Sequence, residues 1–231
     1  MTTPASTTTT PARFLLLGDS HAACVGQAAR AAHLSFAGGP VGSGRDFLGP
    51  FFDVRGTGVT LRDAEAQRLY RSALEALGIR VLDRLEVPLV CTFGFAAHTV
   101  ATAENWAVHR DDRGDYLPGF LDSELFASLI RATVRGALAF YDHTTALGMR
   151  VLALMPPQRV PEMSDPRVFF AAQEVIRQEL LARGVEVVDV RARVTDATGL
   201  QRAAFCQAGD TIHGNLAFGR LLVAELLDRG L

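Results

Sequence analysis

The sequence predicts an α/β protein, a three-layer α/β/α sandwich built on a flavodoxin-like parallel sheet of about five strands. Three observations carry that expectation. Short apolar runs such as Phe14-Leu-Leu-Leu17 and Pro88-Leu-Val-Cys-Thr-Phe93 lack polar alternation, so they suit strands covered on both faces. Segments with helical spacing lie between these runs, which is the alternation a parallel sheet requires. The chain of 231 residues is long enough for one large domain and shows no interdomain linker or internal repeat.

Residues 13–17 form the first expected strand, and the alanine-rich segment 22–32 the first helix. Residues 34–37 are a short second strand running into the glycine-rich loop Gly38-Gly-Pro-Val-Gly-Ser-Gly44. Leu61, Ala64, Leu69, Ala73 and Leu77 fall roughly on one face and predict a helix over 60–77. The next strand is expected at 88–93. The longest helical pattern covers 123–147, closed by Gly148 as a C-cap. Residues 150–155 read as a strand stopped by Pro156-Pro157, 166–183 as a helix, 185–190 as a strand and 215–228 as the final helix. Residues 100–119 are polar and irregular, as in a surface loop or lid. The first twelve residues, MTTPASTTTTPA, are low-complexity, so a disordered tail (1–12) is expected before a single domain at 13–231.

Composition removes several chemistries. A net charge of −2 offers no basic field for nucleic acid and no polybasic membrane anchor. All 23 basic residues are arginine, which excludes a Schiff-base lysine, a P-loop lysine and a Ser-Lys dyad together. Cys24, Cys91 and Cys206 form no CxxC and read as reduced, mostly buried side chains. No apolar run approaches the length of a membrane span, and the start lacks a signal-peptide pattern, so a cytoplasmic protein is expected. His33, His109 and His143 have no metal-ligand spacing and HExxH is absent, so neither a metal nor an organic cofactor is expected.

In a sheet of this kind ligands bind beyond the C-terminal strand ends. Ser20, the 38–44 loop, the segment after Phe93 and the Pro156 turn all follow strand ends and converge on one rim. Ser20 sits where the first strand turns into a helix, whose N-terminal N–H groups and dipole favour an oxyanion. Near the other end, Asp210-Thr-Ile-His213 places a carboxylate three residues before an imidazole. These are an attacking hydroxyl, a base and an acid to orient the base. Each motif also has a plainer reading: Asp19 and Ser20 as helix caps, Asp210 or Asn215 as the cap of the last helix.

The combination resembles the SGNH hydrolases, or GDSL-type esterases and lipases, over essentially the whole of 13–231. Gly18-Asp19-Ser20 matches the first family block and Asp210-Thr-Ile-His213 the last, in the expected order. The resemblance implies Ser20 as nucleophile, His213 as base and Asp210 as its orienting acid; Asp189, at a strand end, fits the motif less well. It implies an oxyanion hole from the backbone N–H of Ser20 and of a glycine after the second strand. Gly42, in Gly39-Pro-Val-Gly42, fits that place, with Gly44 next; the loop has no GxGxxG spacing. The third block, Gly-x-Asn-Asp in the family, reads Gly94-Phe-Ala-Ala here, so Ala96 stands where an asparagine donor belongs and His98 is the candidate substitute. Losing such a donor unreplaced costs on the order of 100- to 1000-fold in rate. His21, Gly44 and Arg45 are candidate substrate-binding residues, and Arg159 lies in a rim loop where it can meet an anionic group.

The expected activity is hydrolysis of an ester or thioester of a small acylated substrate through an acyl-enzyme on Ser20. Acyl transfer from the same intermediate is the alternative. A catalytically weak relative that binds an acyl or glycosyl ligand is a rival, and a nucleotide-binding domain using the 38–44 loop is another.

Overall fold

The computed structural model describes residues 11–231. Most of the expected N-terminal tail, residues 1–10, lies outside the described residues. Five parallel strands form the main sheet: β1 (Leu15–Gly18), β2 (Ala37–Pro40), β5 (Leu89–Cys91), β6 (Val151–Leu154) and β7 (Glu186–Val188). Their spatial order is β2-β1-β5-β6-β7, the flavodoxin-like arrangement, with its topological switch between β1 and β5. Register pairs Leu15 with Ala37 on one side and with Leu89 on the other.

Successive side chains of each strand point to opposite faces, and each face has its own core. Leu15 and Leu17 join Leu89, Cys91, Tyr141 and Ile176 on one side. That layer holds helices α2 (Ala64–Ala76), α5 (Arg135–Ala146) and α6 (Pro166–Ala182). Phe14 and Leu16 join Val90, Leu152, Val25 and Leu222 on the other. That second layer is α1 (Ala22–Ala31) crossed by α8 (Leu216–Asp228), with the short α7 (Arg191–Val194) adding Val194 to the same core.

Four expectations change. The second strand lies at Ala37–Pro40 rather than 34–37, so two glycines assigned to a loop are strand residues. Gly38 has φ +86°, and a Cβ there would lie 2.1 Å from the Leu16 carbonyl oxygen, so this edge strand approaches β1 more closely than a side chain allows. The helix expected from residue 60 starts at Ala64, behind an antiparallel hairpin of β3 (Phe52–Arg55) and β4 (Gly58–Leu61). Asp63 accepts the Ala66 N–H (2.8 Å) and caps it.

The pattern at 123–147 is two helices, α4 (Glu124–Thr133) and α5, broken at Val134. The Gly136 N–H, which would bond Ala132 in a continuous helix, donates to the Leu48 carbonyl (2.9 Å), and the Arg135 guanidinium takes the freed Ala132 oxygen. A Cβ on Gly136 would lie 1.8 Å from the Gly49 oxygen, so the break is the contact surface for the 48–49 segment. Residues 100–119 are not a free lid. After the short helix α3 (Ala97–Val100), Trp106 donates to the Val100 carbonyl (2.8 Å). Tyr116 donates to Asp165 (2.7 Å), and the Arg110 and Arg167 guanidinium groups lie 5.0 and 4.7 Å from its ring centre. Arg110 also pairs with Asp165, which anchors the excursion to the start of α6.

Candidate active site

Ser20 leaves the sheet at the β1 end through a turn held by buried polar groups. Thr92, one residue beyond β5, accepts the Asp19 N–H (3.0 Å) and donates its hydroxyl to Asp19 Oδ1 (2.8 Å). The same carboxylate oxygen accepts the His21 N–H (3.0 Å). Asp19 is 0% exposed, so its carboxylate is interior structure. Gly18 permits the arrangement, since a Cβ there would lie 2.0 Å from the Thr92 hydroxyl. The turn leaves the Ser20 side chain free of any capping role.

The Ser20 hydroxyl meets His213 Nε2 at 2.7 Å, and His213 Nδ1 meets Asp210 Oδ2 at 2.6 Å. One tautomer satisfies both contacts: Nδ1 carries the proton and donates to Asp210, while Nε2 accepts from Ser20. The other Asp210 oxygen accepts the Ile212 and His213 N–H groups, each at 2.7 Å. Partial burial pushes the Asp210 carboxyl up, but the His213 ring and these two N–H groups outweigh it and hold it well below the usual carboxylate range. Asp210 does not cap α8; Asn215 does, accepting the Ala217 and Phe218 N–H groups (2.9 and 3.2 Å). Asp189 is spent on Arg191, whose N–H and guanidinium it accepts.

Two features that sequence reasoning missed hold this geometry. Arg159 reaches under the 207–213 loop and donates to the carbonyls of Gln207 (3.1 Å), His213 (2.8 Å) and Asp210. Its guanidinium therefore props the loop rather than facing a substrate anion. Gly219 lets α8 cross α1 closely, since a Cβ there would lie 2.2 Å from the Cys24 carbonyl oxygen. Ser20 precedes α1 and His213 precedes α8, so this crossing sets the distance between them. Neither feature has a motif; only the glycine inside an apolar helix was visible as a signal.

The remaining predicted residues surround Ser20 unevenly. His21 is 6% exposed, with its ring 5.1 Å from that of His213 and 6.1 Å from that of His98. Burial lowers its pKa, and its Nδ1 has no hydrogen-bond partner among the described residues. Burial, reinforced by His21, lowers His98 to about 4, so His98 is neutral at pH 7 and has one N–H to donate. The α-carbon of Gly44 faces Asp19 and Ala96: a Cβ would lie 3.1 Å from Asp19 Oδ2 and 2.6 Å from the Ala96 methyl. Gly42 instead faces the Phe47 ring and lines a separate cavity with Phe47, Phe51 and Ala66. Arg45 is exposed on a 3-10 turn (Gly44–Phe47) and has no ion pair among the described residues. Cys24 lies beside Ser20, but burial pushes its thiol up to about 12, which disqualifies it as a nucleophile near neutral pH.

Comparisons with known proteins agree with the fold. A protein of Slackia heliotrinireducens assigned to the SGNH hydrolases superposes with a TM-score of 0.50 at 14% identity, over 95% of this chain and 98% of that one. A GDSL-like lipase from Bacteroides thetaiotaomicron superposes with a TM-score of 0.51 at 12% identity, over 95% and 89%. No family model matches the sequence, and no curated protein matches it. The chain has the SGNH-hydrolase fold, a five-stranded parallel sheet between helical layers. Among the described residues no helix is long and apolar enough to cross a membrane.

Proposed function

We propose that the chain is a serine hydrolase of the SGNH type, cleaving an ester or thioester of a small acylated substrate through an acyl-enzyme on Ser20. The observation that carries the reading is the unbroken path Ser20 Oγ to His213 Nε2 and His213 Nδ1 to Asp210. His213 accepts the serine proton as Oγ attacks the carbonyl carbon, and Asp210 orients the ring and stabilises the imidazolium. His213 then returns that proton to the departing oxygen or sulfur, and water resolves the acyl-enzyme by the reverse route. An acceptor alcohol in place of water turns the same intermediate to acyl transfer.

The oxyanion forms over the start of α1. The Ser20 N–H is one donor, and a glycine N–H from the 42–44 loop is the second. Gly44, whose α-carbon abuts Asp19 and Ala96, suits that place better than Gly42, which is turned to Phe47. Ala96 supplies no side-chain donor, and its methyl lies against Gly44 where a longer side chain has no room. His98, neutral and half-buried on the same side, is the third donor.

Intact-mass measurement after reaction with a serine-directed fluorophosphonate tests the nucleophile, and hydrolysis of short p-nitrophenyl esters tests the base. One adduct on Ser20 is expected, with Ser20→Ala and His213→Ala each losing on the order of 1000-fold or more in kcat/KM. Equal rates in wild type and both variants would refute the reading.

A further inference from the structure

A cleft of about 310 Å3 opens from Ser20 along the first turns of α1, between that helix and the 207–214 loop. Its position assigns it a partner in the reaction. His213 must return its proton to the departing oxygen, so the departing group has to lie on the His213 side of Ser20. The cleft is on that side, because His213 and Asp210 form part of its wall. Of the oxyanion donors proposed above, none of Gly42, Gly44 or His98 lines the cleft. The acyl group and the alcohol therefore have separate places.

The lining identifies the alcohol. No leucine, isoleucine, valine, methionine or aromatic ring other than histidine lines this cleft, whereas a pocket for an alkyl or aryl group is walled mostly by such side chains. Its base is Ala23 and Cys24, a methyl group and an un-ionised thiol. Gln27 projects from α1 and Gln207 from the facing loop, and neither primary amide has a hydrogen-bond partner among the described residues. A primary amide both donates and accepts, which matches a hydroxyl group that does the same. The only charged side chain in the lining is Asp210, and both its oxygens are already engaged. Nothing there attracts a phosphate or an ammonium group.

We infer that this cleft is the alcohol subsite and that it takes a neutral polyhydroxylated alcohol, held by the side-chain amides of Gln27 and Gln207 with a C–H face on Ala23. The inference rests on the serine-hydrolase reading and names its leaving group. In the acylation step the bond between Ser20 Oγ and the carbonyl carbon forms and the bond from that carbon to the polyol oxygen breaks. The proton passes from Ser20 through His213 Nε2 to that oxygen. Run in reverse, the same subsite presents a polyol hydroxyl to the acyl-enzyme, so acyl transfer to a polyol uses these two glutamines as well.

The test compares two esters with one acyl group, an O-acetylated neutral pyranoside and p-nitrophenyl acetate, on wild type, Gln27→Leu and Gln207→Leu. Fluorophosphonate labelling of Ser20 is followed in parallel. One hydrogen bond to a neutral group is expected to lower the ratio of kcat/KM for the pyranoside ester over the phenyl ester by about tenfold in each variant. With wild type, adding the free pyranoside as acceptor is expected to speed turnover of p-nitrophenyl acetate and yield acetylated pyranoside. Ser20 labelled normally with that ratio unchanged in both variants overturns the subsite and leaves the nucleophile standing. No labelling of Ser20 in wild type overturns the serine-hydrolase reading, and the subsite with it.

Discussion

Replacing Gly219 with alanine should disable the proposed active site from a distance, without touching any reacting atom. A Cβ at residue 219 would lie 2.2 Å from the Cys24 carbonyl oxygen, and real Cβ contacts are essentially never under 3.0 Å. The difference requires α8 and α1 to separate by at least 0.8 Å. The obstacle is backbone, so no side-chain rotation relieves it. His213 lies six residues before Gly219 and Ser20 two before α1, so much of that displacement reaches the 2.7 Å contact between them. A misplacement of about 1 Å can cost on the order of 100-fold in rate. Overpacking of this kind typically costs about 1–3 kcal/mol, partly offset by the better helix propensity of alanine. We therefore expect Gly219→Ala to stay folded, with Tm lowered by several degrees, and to lose on the order of 100-fold in kcat/KM for p-nitrophenyl esters. Ser20 should react correspondingly more slowly with a fluorophosphonate. Arg220→Ala, one residue on and exposed, should change neither quantity. A Gly219→Ala protein with wild-type activity and Tm would show that the helix crossing does not set the Ser20–His213 distance.

Arg159→Met removes three hydrogen bonds to the 207–213 loop and should lower kcat by about 10- to 100-fold with little change in KM, while Arg159→Lys, which keeps one or two of them, should recover part of the loss. An equal fall in both variants that appears only in KM would place Arg159 in substrate binding instead. His98→Ala should lower kcat by on the order of 100-fold if its N–H reaches the oxyanion, measured against esters at pH 7, and an unchanged kcat would remove it from the oxyanion hole. The same residue shapes stability against pH. His98 is lowered from 6.5 to about 4, so below pH 6.5 the unfolded chain takes up a proton that the folded one refuses. Stability present above pH 6.5 is thus lost as pH falls towards 4, and Tm should fall over that window less steeply in His98→Ala than in wild type. Asp210 acts in a lower window: its depressed carboxyl contributes stability above its ordinary value of 3.8, lost as pH falls below it, so Asp210→Asn should flatten the curve only there.

What was legible in the sequence shares one property: its cause is local. Gly18-Asp19-Ser20 follows an apolar run that only a buried strand explains, and Asp210 and His213 lie within one turn of chain. Strand identities in the sheet were readable because β1, β5 and β6 are unbroken apolar runs and β7 holds a single polar residue, Glu186. The exceptions have causes elsewhere in the chain. Gly38 and Gly39 look like a loop until Leu16 is placed beside them. The break at Val134 is invisible because the carbonyl that captures the Gly136 N–H belongs to Leu48. The 52–61 hairpin was readable, since Gly56-Thr57-Gly58 is a turn signal and Asp63 a cap, but the apolar spacing of Leu61 with α2 outweighed both. Arg159 was undetectable in its true role because its hydrogen-bond acceptors are main-chain carbonyls, which leave no trace in side-chain chemistry.

The separation of the two motifs shows why that hidden layer matters. Ser20 and His213 are 193 residues apart in the chain, and their contact of 2.7 Å has to be held to within a few tenths of an ångström. No residue of either motif can supply that tolerance. It comes from three contacts outside them: Thr92 fixing the end of β1, Gly219 fixing the crossing of α1 and α8, and Arg159 fixing the 207–213 loop. Each joins segments well separated along the chain. A chain that kept Gly-Asp-Ser and Asp-x-x-His but lost these contacts would keep the motifs and lose the site. Conversely, Ala96 takes part in none of the three, so the Ser20–His213–Asp210 path stands without an asparagine there, and the substitution bears only on the donors proposed for the oxyanion.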